Sequence, residues 1–246
     1  MKNFNVYFLL PAVFALSLFS SCGTHLDEAA LLKKYKVRSQ TMLEKSGEKS
    51  EYVEYDENGR EVLKENYTDG VCTDREQTSY DSAGNILQMN QMGAGSTELK
   101  NSRYEYINGT NGKPLTMKKY NADKDSLLSV ASFTYDEKGN RILMSIKNTE
   151  GKETWRYCSE YDGSGNEISL KVYDAFEGWE KPWRSKIMEY DSKGHLIKVT
   201  HFLEPGKISG HFEKKYDERG LLQSFVYYDA DNKATGETSV VYTYYK

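Results

Sequence analysis

One short motif recurs through this chain and constrains its fold more than any other feature. The motif is Y-D-x-x-G followed by an apolar segment. Its six clear copies begin at Tyr55, Tyr80, Tyr135, Tyr161, Tyr190 and Tyr216. A degenerate copy, YINGTNGKP, begins at Tyr106. Successive copies begin 25 to 29 residues apart, and a period of this length indicates one supersecondary unit per repeat.

A second turn cluster lies between successive copies, for example YTDG at 67–70 and EPGK at 204–207. The segments between turns are short and rich in Tyr, Val, Ile and Thr, which is typical of β-strands. Connections this short exclude parallel crossovers. The sequence therefore predicts an all-β antiparallel meander of about fifteen strands.

The chemistry of the motif explains its Asp and Gly as turn residues. An Asp that opens a turn accepts a hydrogen bond from the backbone N–H two residues later, and Gly adopts positive φ without a steric penalty. We therefore predict a structural role, and no catalytic or metal-binding role, for the turn pairs. These pairs are Asp56 and Gly59, Asp81 and Gly84, Asp136 and Gly139, Asp162 and Gly165, Asp191 and Gly194, and Asp217 and Gly220.

Two loop lengths fit D-x-x-G: a three-residue loop with a glycine bulge, or a four-residue loop. The four-residue loop places Ile142, Met144 and Ile146 on the same face as Tyr135, because side chains alternate along a strand. We therefore predict the four-residue loop, with one aromatic and apolar face and one charged face.

No amphipathic helix long enough to cover the apolar face occurs in the sequence. Open sheets of more than about ten strands curl or split, and curling buries the aromatic face against itself. The predicted architecture is an incomplete barrel or hollow spiral, and a flatter single-layer sheet is the second choice.

The N-terminal residues have the form of an export signal. MKN precedes an apolar stretch that contains Pro11 and ends in FSSCG, which is too short and interrupted for a membrane span. The Cys after two small residues resembles the lipobox of bacterial lipoproteins, which implies cleavage before Cys22 and acylation there, including palmitate. A plain signal peptide is the alternative. The predicted division is 1–21 signal peptide, 22–36 lipidated linker with a helical turn around LDEAALLKK, and 37–246 repeat domain.

Composition excludes some partners. The formal net charge is −4 and no basic block occurs, so no nucleic-acid partner is predicted.

Cys72 and Cys158 fall on opposite faces of their strands and are predicted to be free thiols. His201 and His211 also fall on opposite faces, so no metal site is predicted. Neither a GxSxG motif nor a glycine-rich phosphate loop occurs, and no cofactor is predicted.

The stretch VYDAFEGWEKPWRSK, 172–186, departs from the repeat period. Exposed aromatic residues are typical of binding surfaces, so Phe176, Trp179 and Trp183 are the predicted ligand contacts. Alternation places Trp183 on the polar face, whereas Trp155 falls on the apolar face and is predicted to be core. The alternative interpretation is a hydrophobic plug at one end of the curled sheet.

From about residue 50 to the C-terminus, the YDxxG units resemble the YD repeats of the RHS family and of smaller YD-like lipoproteins common in Bacteroidetes. RHS repeats build a shell around a toxin, but this chain has too few repeats for a shell and no toxin domain. The resemblance implies a lipoprotein held in the cell envelope, at the outer membrane, facing the periplasm or the surface. We expect a non-catalytic binding or scaffold surface for a protein or glycan. An envelope-polymer hydrolase is the alternative.

Overall fold

The computed structural model describes residues 28–93, 100–204 and 206–246, and the signal segment and Cys22 lie outside them. This part of the chain contains one short helix, α1 (Glu28–Lys34), and sixteen strands. The strands are β1 Val37–Glu44, β2 Lys49–Tyr55, β3 Glu61–Thr68, β4 Val71–Tyr80, β5 Ile86–Met92, β6 Lys100–Asn108, β7 Pro114–Asn121, β8 Ser126–Tyr135, β9 Arg141–Lys147, β10 Glu153–Tyr161, β11 Glu167–Asp174, β12 Arg184–Tyr190, β13 Leu196–Glu204, β14 Lys207–Tyr216, β15 Leu222–Asp229 and β16 Ala234–Tyr244.

Each strand pairs antiparallel with its sequence neighbours, and β1 pairs with β16, so the sheet is a closed barrel. The predicted all-β meander is confirmed. The barrel is complete, because β1 lies between β2 and β16 and leaves no free edge. The Y-D-x-x-G turns form one end of the barrel, here called the YD end. The second turn clusters form the opposite end, called the far end.

The Y-D-x-x-G turn is a three-residue loop with a left-handed glycine. The Asp136 N–H donates to the Asn140 carbonyl at 2.9 Å, and the Gly139 N–H donates to the Asp136 carbonyl at 3.0 Å. Gly139 has φ 84°, a conformation that Gly adopts at little cost. The same two bonds recur at the other clear copies. The predicted four-residue loop is therefore wrong.

The predicted face is nevertheless correct for Met144 and Ile146 and wrong for Ile142, because each hairpin contains a second irregularity. Tyr135 pairs with Arg141, but Thr134 pairs with Leu143, so Ile142 is an extra residue on β9. This residue restores the alternation and turns Met144 and Ile146 toward the tyrosine face, where they are buried. Ile142 itself is exposed.

The tyrosine face lines the inside of the barrel. The larger buried cluster spans β5 to β10 on this face and consists of Ile86, Met89, Tyr104, Met117, Ala131, Phe133, Met144, Ile146 and Tyr157. Trp155 packs against this cluster, as predicted for a core residue, and is half-buried. Curling the sheet therefore removes its aromatic face from water, which is the main driving force for closure.

The motif tyrosines also join neighbouring hairpins. Tyr80 donates its hydroxyl hydrogen to the Glu61 carbonyl at 2.7 Å, and Tyr161 donates to the Arg141 carbonyl at 3.0 Å. Tyr135, Tyr190, Tyr216 and Tyr242 make equivalent bonds. Burial raises the pKa of Tyr161 to about 12, so this hydroxyl stays protonated and able to donate. These bonds explain why the motif begins with Tyr.

The motif aspartates satisfy backbone donors within their own turns. Asp162 Oδ1 accepts from the Ser164 and Asn166 N–H groups at 2.9 Å each, and its Oδ2 accepts from the Asn166 side chain. Burial alone would raise the pKa of the Asp162 carboxyl, but these hydrogen bonds outweigh it and lower the pKa. The contacts of the motif aspartates are those of turn residues, as the motif predicts.

Helix α1 packs on the YD end of the barrel. Leu32 is buried in a second cluster with Val37, Val53, Tyr55 and Leu221. An added Cβ at Gly59 would lie 2.1 Å from the Ala29 carbonyl oxygen, so only Gly permits this approach. Residues 28–36, predicted as the end of a linker, are therefore packed against the barrel.

The two described cysteines are free thiols, as predicted. Cys158 pairs with Leu143 and Lys171 on the outer face. Cys72 pairs with Tyr67, and a register shift between Asn66 and Tyr67 makes Thr73 an extra residue on β4. Cys72 therefore shares the outer face with Cys158, and the predicted placement on opposite faces is wrong. The two thiols are apart because they lie on β4 and β10.

Candidate functional site

The connection between β11 and β12, residues 175–183, is the irregular segment that the sequence singled out, and we call it the aromatic loop. It lies at the far end of the barrel. Asp174 Oδ1 accepts a hydrogen bond from the Phe176 N–H at 2.9 Å. The backbone of Asp174 also forms an isolated antiparallel β-bridge with Gly178. Phe176 is 93% exposed. The loop therefore holds an aromatic ring in solvent at a braced tip.

Trp183 lies at the rim of the barrel interior. Its ring packs edge to face on Trp155, with centroids 5.5 Å apart, and the Arg184 guanidinium lies 4.1 Å from its centre. Because Trp155 faces inward, the predicted polar-face position of Trp183 is wrong. Trp183 precedes β12 and its N–H bonds to the Val172 carbonyl within a turning chain, so strand alternation does not extend to it.

Trp179 lies on the outer side of the same loop. The Arg156 guanidinium is 4.8 Å from the centre of its ring, and Arg156 is itself held by Glu153 at 2.5 Å. Trp179 and Trp183 are both half-buried. The three predicted contacts thus occupy one loop but face different directions: Phe176 at the tip, Trp179 outside and Trp183 at the inner rim.

The barrel interior carries charged side chains that the sequence interpretation did not assign. A barrel of sixteen strands is wide enough for an aqueous lumen, and the inward-facing charged residues are half-buried rather than sealed. They form two groups. The acidic wall, on β2 to β4, consists of Glu51, Glu61, Lys64, Asp74 and Glu76. The basic wall, on β12 to β14, consists of Arg184, Lys186, His201 and Lys214.

The acidic wall contains its own counter-charge. Lys64 Nζ lies 2.6 Å from a Glu51 carboxylate oxygen, and the register pairs Lys64 directly with Glu76. Burial raises the pKa of Glu61 to about 7; the negative charges of Glu51 and Glu76 add to this, and Lys64 opposes it. Burial alone would lower the pKa of Lys64, but Glu51 outweighs it and the pKa is raised.

On the basic wall, the two lysines have no such close ion pair. Burial lowers the pKa of His201 to about 4, and the positive charges of Lys186 and Arg184 lower it further. Burial also lowers the pKa of Lys214. The negative charge of Glu28 raises this pKa, and the positive charge of Lys186 lowers it further. Within residues 28–93, 100–204 and 206–246, neither Lys186 nor Lys214 forms an ion pair. A signal for this wall was present in the sequence, because Lys186 and Lys214 lie four and two residues before motif tyrosines.

Further observations concern the predicted metal site and the histidines. Among the described residues, no group of three or more His, Cys, Asp or Glu side chains could hold a metal ion. His201 and His211 lie on opposite faces as predicted: His201 pairs with Gly210, and His211 stacks on Tyr228 outside.

Among the described residues, no helix has the length and apolarity needed to cross a bilayer.

No protein-family model matches this chain, and no curated protein matches it. Several solved structures match. The chain is similar to TcdB2-TccC3-Cdc42 at 18% identity, over 76% of this chain and 9% of that chain, with a TM-score of 0.38. It is similar to a porin-like protein from Bacteroides uniformis at 10% identity, over 84% and 97% of the two chains, with a TM-score of 0.48. A porin-like protein from Bacteroides vulgatus matches at 11% identity, over 84% and 98%, with a TM-score of 0.29. The chain spans less than a tenth of the first of these, and likenesses this distant define neither a family nor an activity.

Proposed function

We propose that this chain is a non-catalytic cell-envelope lipoprotein that binds a protein or glycan partner through its aromatic loop. The observation that carries the proposal is the exposed Phe176 ring on a braced loop. Burying a Phe side chain is worth about 1.5–3 kcal/mol, so exposing one in solvent forgoes that stabilisation in the free protein. A partner that covers the ring recovers it.

The contacts of the loop favour a preformed surface. Asp174 fixes the backbone at Phe176, Arg156 covers one side of Trp179, and Trp183 packs on Trp155. A loop held in this way loses little conformational entropy on binding, and reduced entropy loss strengthens association. Aromatic residues and Arg are also enriched among the residues that dominate binding energy.

The proposed anchor is compatible with this orientation. Cys22 is six residues before Glu28, so an acyl group there lies within about 22 Å of α1 along an extended chain. Because α1 packs on the YD end, acylation at Cys22 would turn that end toward the membrane. The aromatic loop would then point away from the bilayer, toward a partner.

A binding screen tests the proposal. We expect the barrel to bind either an envelope glycan on an array or a purified envelope protein, with at least about tenfold weaker binding after Phe176→Ala, equivalent to about 1.4 kcal/mol. Val71→Ala is the matched control, because Val71 is an exposed apolar residue at another far-end turn. Binding that is unaffected by Phe176→Ala would refute the role of the loop.

One observation favours the alternative, an envelope-polymer hydrolase. A carboxyl with its pKa raised to about 7, as at Glu61, is suited to general acid catalysis near neutral pH. Incubation of wild type and Glu61→Gln with peptidoglycan fragments decides between the two. The non-catalytic proposal expects no hydrolysis by either protein, and hydrolysis lost in Glu61→Gln would replace it.

A further inference from the structure

We propose that the basic wall of the lumen is a binding site for a small ligand that carries an oxyanion, either a phosphate or a carboxylate group. The site is separate from the aromatic loop and does not depend on the proposed partner. It is built from the inward-facing side chains of three adjacent strands.

Strand register brings these groups together. Lys186 on β12 pairs directly with His201 on β13, and directly opposed residues have Cβ atoms about 4.5–5.5 Å apart. Arg184 lies two residues from Lys186 on the same inner face. Lys214 projects from the inner face of β14, four residues from Gly210, which pairs with His201. Since neighbouring strands are about 4.8 Å apart and four residues span about 13 Å, a small ligand beside Lys186 can contact Arg184 and His201. Lys214 adds positive charge to the same surface, where Lys186 affects its pKa.

The next residue in this row is Gly210, which pairs with His201 and has no side chain. Neighbouring atoms fill the space above it, because a Cβ at Gly210 would lie 2.5 Å from the Tyr228 carbonyl oxygen. The Tyr227 hydroxyl occupies the position above Gly210, 2.9 Å from where a Cβ would lie. A phenol hydroxyl is a hydrogen-bond donor as well as an acceptor, so the site combines positive charge with a neutral donor.

Three carboxylates lie near this wall. Glu28 raises the pKa of Lys214 but forms no ion pair with it among the described residues, and the other two accept hydrogen bonds in their own turns. Asp229 Oδ1 accepts from the Asp231 and Lys233 N–H groups of its own turn at 3.0 and 2.9 Å. Asp174 Oδ1 accepts from the Phe176 N–H. Neither forms an ion pair with another described residue, so the positive charge of Lys186 and Lys214 is not neutralised by these groups.

Lys186 has no ion pair among the described residues, and a charge held in this way in a concave, low-dielectric surface is costly in the free protein and attracts the opposite charge. Partly buried charges in proteins are normally paired, as Lys64 is with Glu51 across the same lumen. A recess lined by a single sign of charge concentrates the field and raises the local concentration of counter-ions. The basic wall is therefore organised for an anion that comes from outside the chain.

The position of the site gives it a route to solvent. Arg184 and Lys186 are the first and third residues of β12, at the far end. With a rise of about 3.3 Å per residue, Lys186 lies within about 10 Å of that mouth. A phosphorylated or carboxylated small molecule can reach the site, whereas a folded protein domain cannot.

An NMR titration of the His201 ring tests the proposal. Inorganic phosphate and citrate are each added at pH 7 and constant ionic strength, since constant salt removes general screening. We expect a saturable shift of the His201 resonances, and a rise of the His201 pKa from about 4 when the anion is bound. Comparison of the two anions identifies whether phosphate or carboxylate is preferred.

A matched pair of variants makes the test specific. Lys186→Gln with Lys214→Gln should weaken binding at least about tenfold. Lys198→Gln with Lys215→Gln removes the same charge from the outer faces of β13 and β14 and should leave binding unchanged. Thermal unfolding without anion checks the folding of both variants, and the two inner single variants serve if the double variant does not fold. Phe176→Ala should also bind normally, which separates this site from the proposed partner surface.

Two results would show that the basic wall does not bind anions specifically. Absence of a saturable shift with either anion would overturn the proposal. An equal loss of binding in the inner and outer double variants would also overturn it, because the effect would then reflect net charge alone.

Discussion

The two charged walls of the lumen belong to one sheet and come from the same repeat, yet they differ in how their charge is neutralised. On β2 to β4, Lys64 pairs with Glu51 at 2.6 Å beside Glu61 and Glu76. On β12 to β14, Lys186 and Lys214 have no ion-pair partner among the described residues. The comparison shows that one hairpin repeat can build, in the same barrel, a charged surface with internal ion pairs and a charged surface whose lysines have none among the described residues.

The difference has a simple origin in the sequence. Inner positions follow alternation from a motif tyrosine, shifted by one extra residue after each turn, so the repeat determines which of these residues face inward but not their charge. On the acidic wall, an inner Lys falls opposite inner Glu residues. On the basic wall, Lys186 falls opposite Leu170 and His201, and Lys214 falls opposite Phe225, so neither lysine faces a carboxylate. The acidic wall is therefore structural, and the basic wall is available to a ligand.

The largest expected contrast comes from removing one lysine from each wall. Lys64→Met leaves Glu51 without its partner beside two other carboxyls, and breaking a buried pair costs about 3–5 kcal/mol. Because the pair is half-buried, we expect about 2 kcal/mol of destabilisation. Lys186→Met removes a charge that has no partner and should be neutral or stabilising. Urea unfolding at pH 7 in phosphate-free buffer measures both, and equal destabilisation by the two substitutions would contradict the comparison.

The acidic wall should give stability a negative slope with pH. The pKa of Glu61 is raised to about 7 in the fold from its usual value near 4.5, so the fold disfavours its ionised form. Its favourable contribution is fully present below about pH 4.5 and is lost as the pH rises through 7. At pH 8, Glu61→Gln should be more stable than wild type by about 1–3 kcal/mol. Glu189→Gln on the outer face is the control, and a gain of the same size there would refute this assignment.

The basic wall should give a slope of the opposite sign. The pKa of His201 is lowered to about 4 from its usual value near 6.5, so the unfolded chain binds a proton before the folded chain does. Stability should therefore fall as the pH drops from about 6.5 to 4. We expect the free energy of unfolding to fall by about 1 kcal/mol over this range, because the ring is half-buried, and this fall should be absent in His201→Asn. Denaturant unfolding at pH 7.5 and 4.5 compares the two proteins, and identical pH dependence would show that His201 does not contribute.

The smallest expected effect concerns the coupling within the basic wall. Lys186→Gln removes a positive charge that faces His201, so the pKa of His201 should rise by about half a unit. Lys198→Gln, on the outer face of β13, should leave it unchanged. An NMR titration of the imidazole from pH 3 to 8 measures the difference. A His201 pKa that does not respond to Lys186 would mean that the two groups do not share a surface.

The sequence predicted much of this architecture because the repeat carries local information. Tyr135, Asp136 and Gly139 define one turn through contacts within a few residues, and the same logic applies to each copy. The loop length was predicted wrongly because two irregularities compensate: the loop is one residue shorter, and Ile142 is an additional residue on the next strand. Burial of Met144 and Ile146 is the same in either case, so the pattern of apolar residues could not distinguish the two loops.

Other features depended on contacts that a single strand does not encode. Closure requires β1 and β16 to meet at opposite ends of the chain, which local patterns do not specify. Trp183 was placed on the wrong face because alternation was extended into a turn. Lys186 and Lys214 could be placed on the inner face from spacing alone. Their lack of counter-charge depends on which residues face them across neighbouring strands, and this requires the register.

The central claim is that the lumen attracts anions at the basic wall and not at the acidic wall. Anomalous diffraction from a crystal soaked in bromide tests it most directly, because it locates each bound anion without assuming a ligand. We predict an ordered bromide beside Lys186 inside the barrel, and none beside Glu61 and Lys64. Bromide found only at outer lysines such as Lys198, or equally on both inner walls, would contradict the claim.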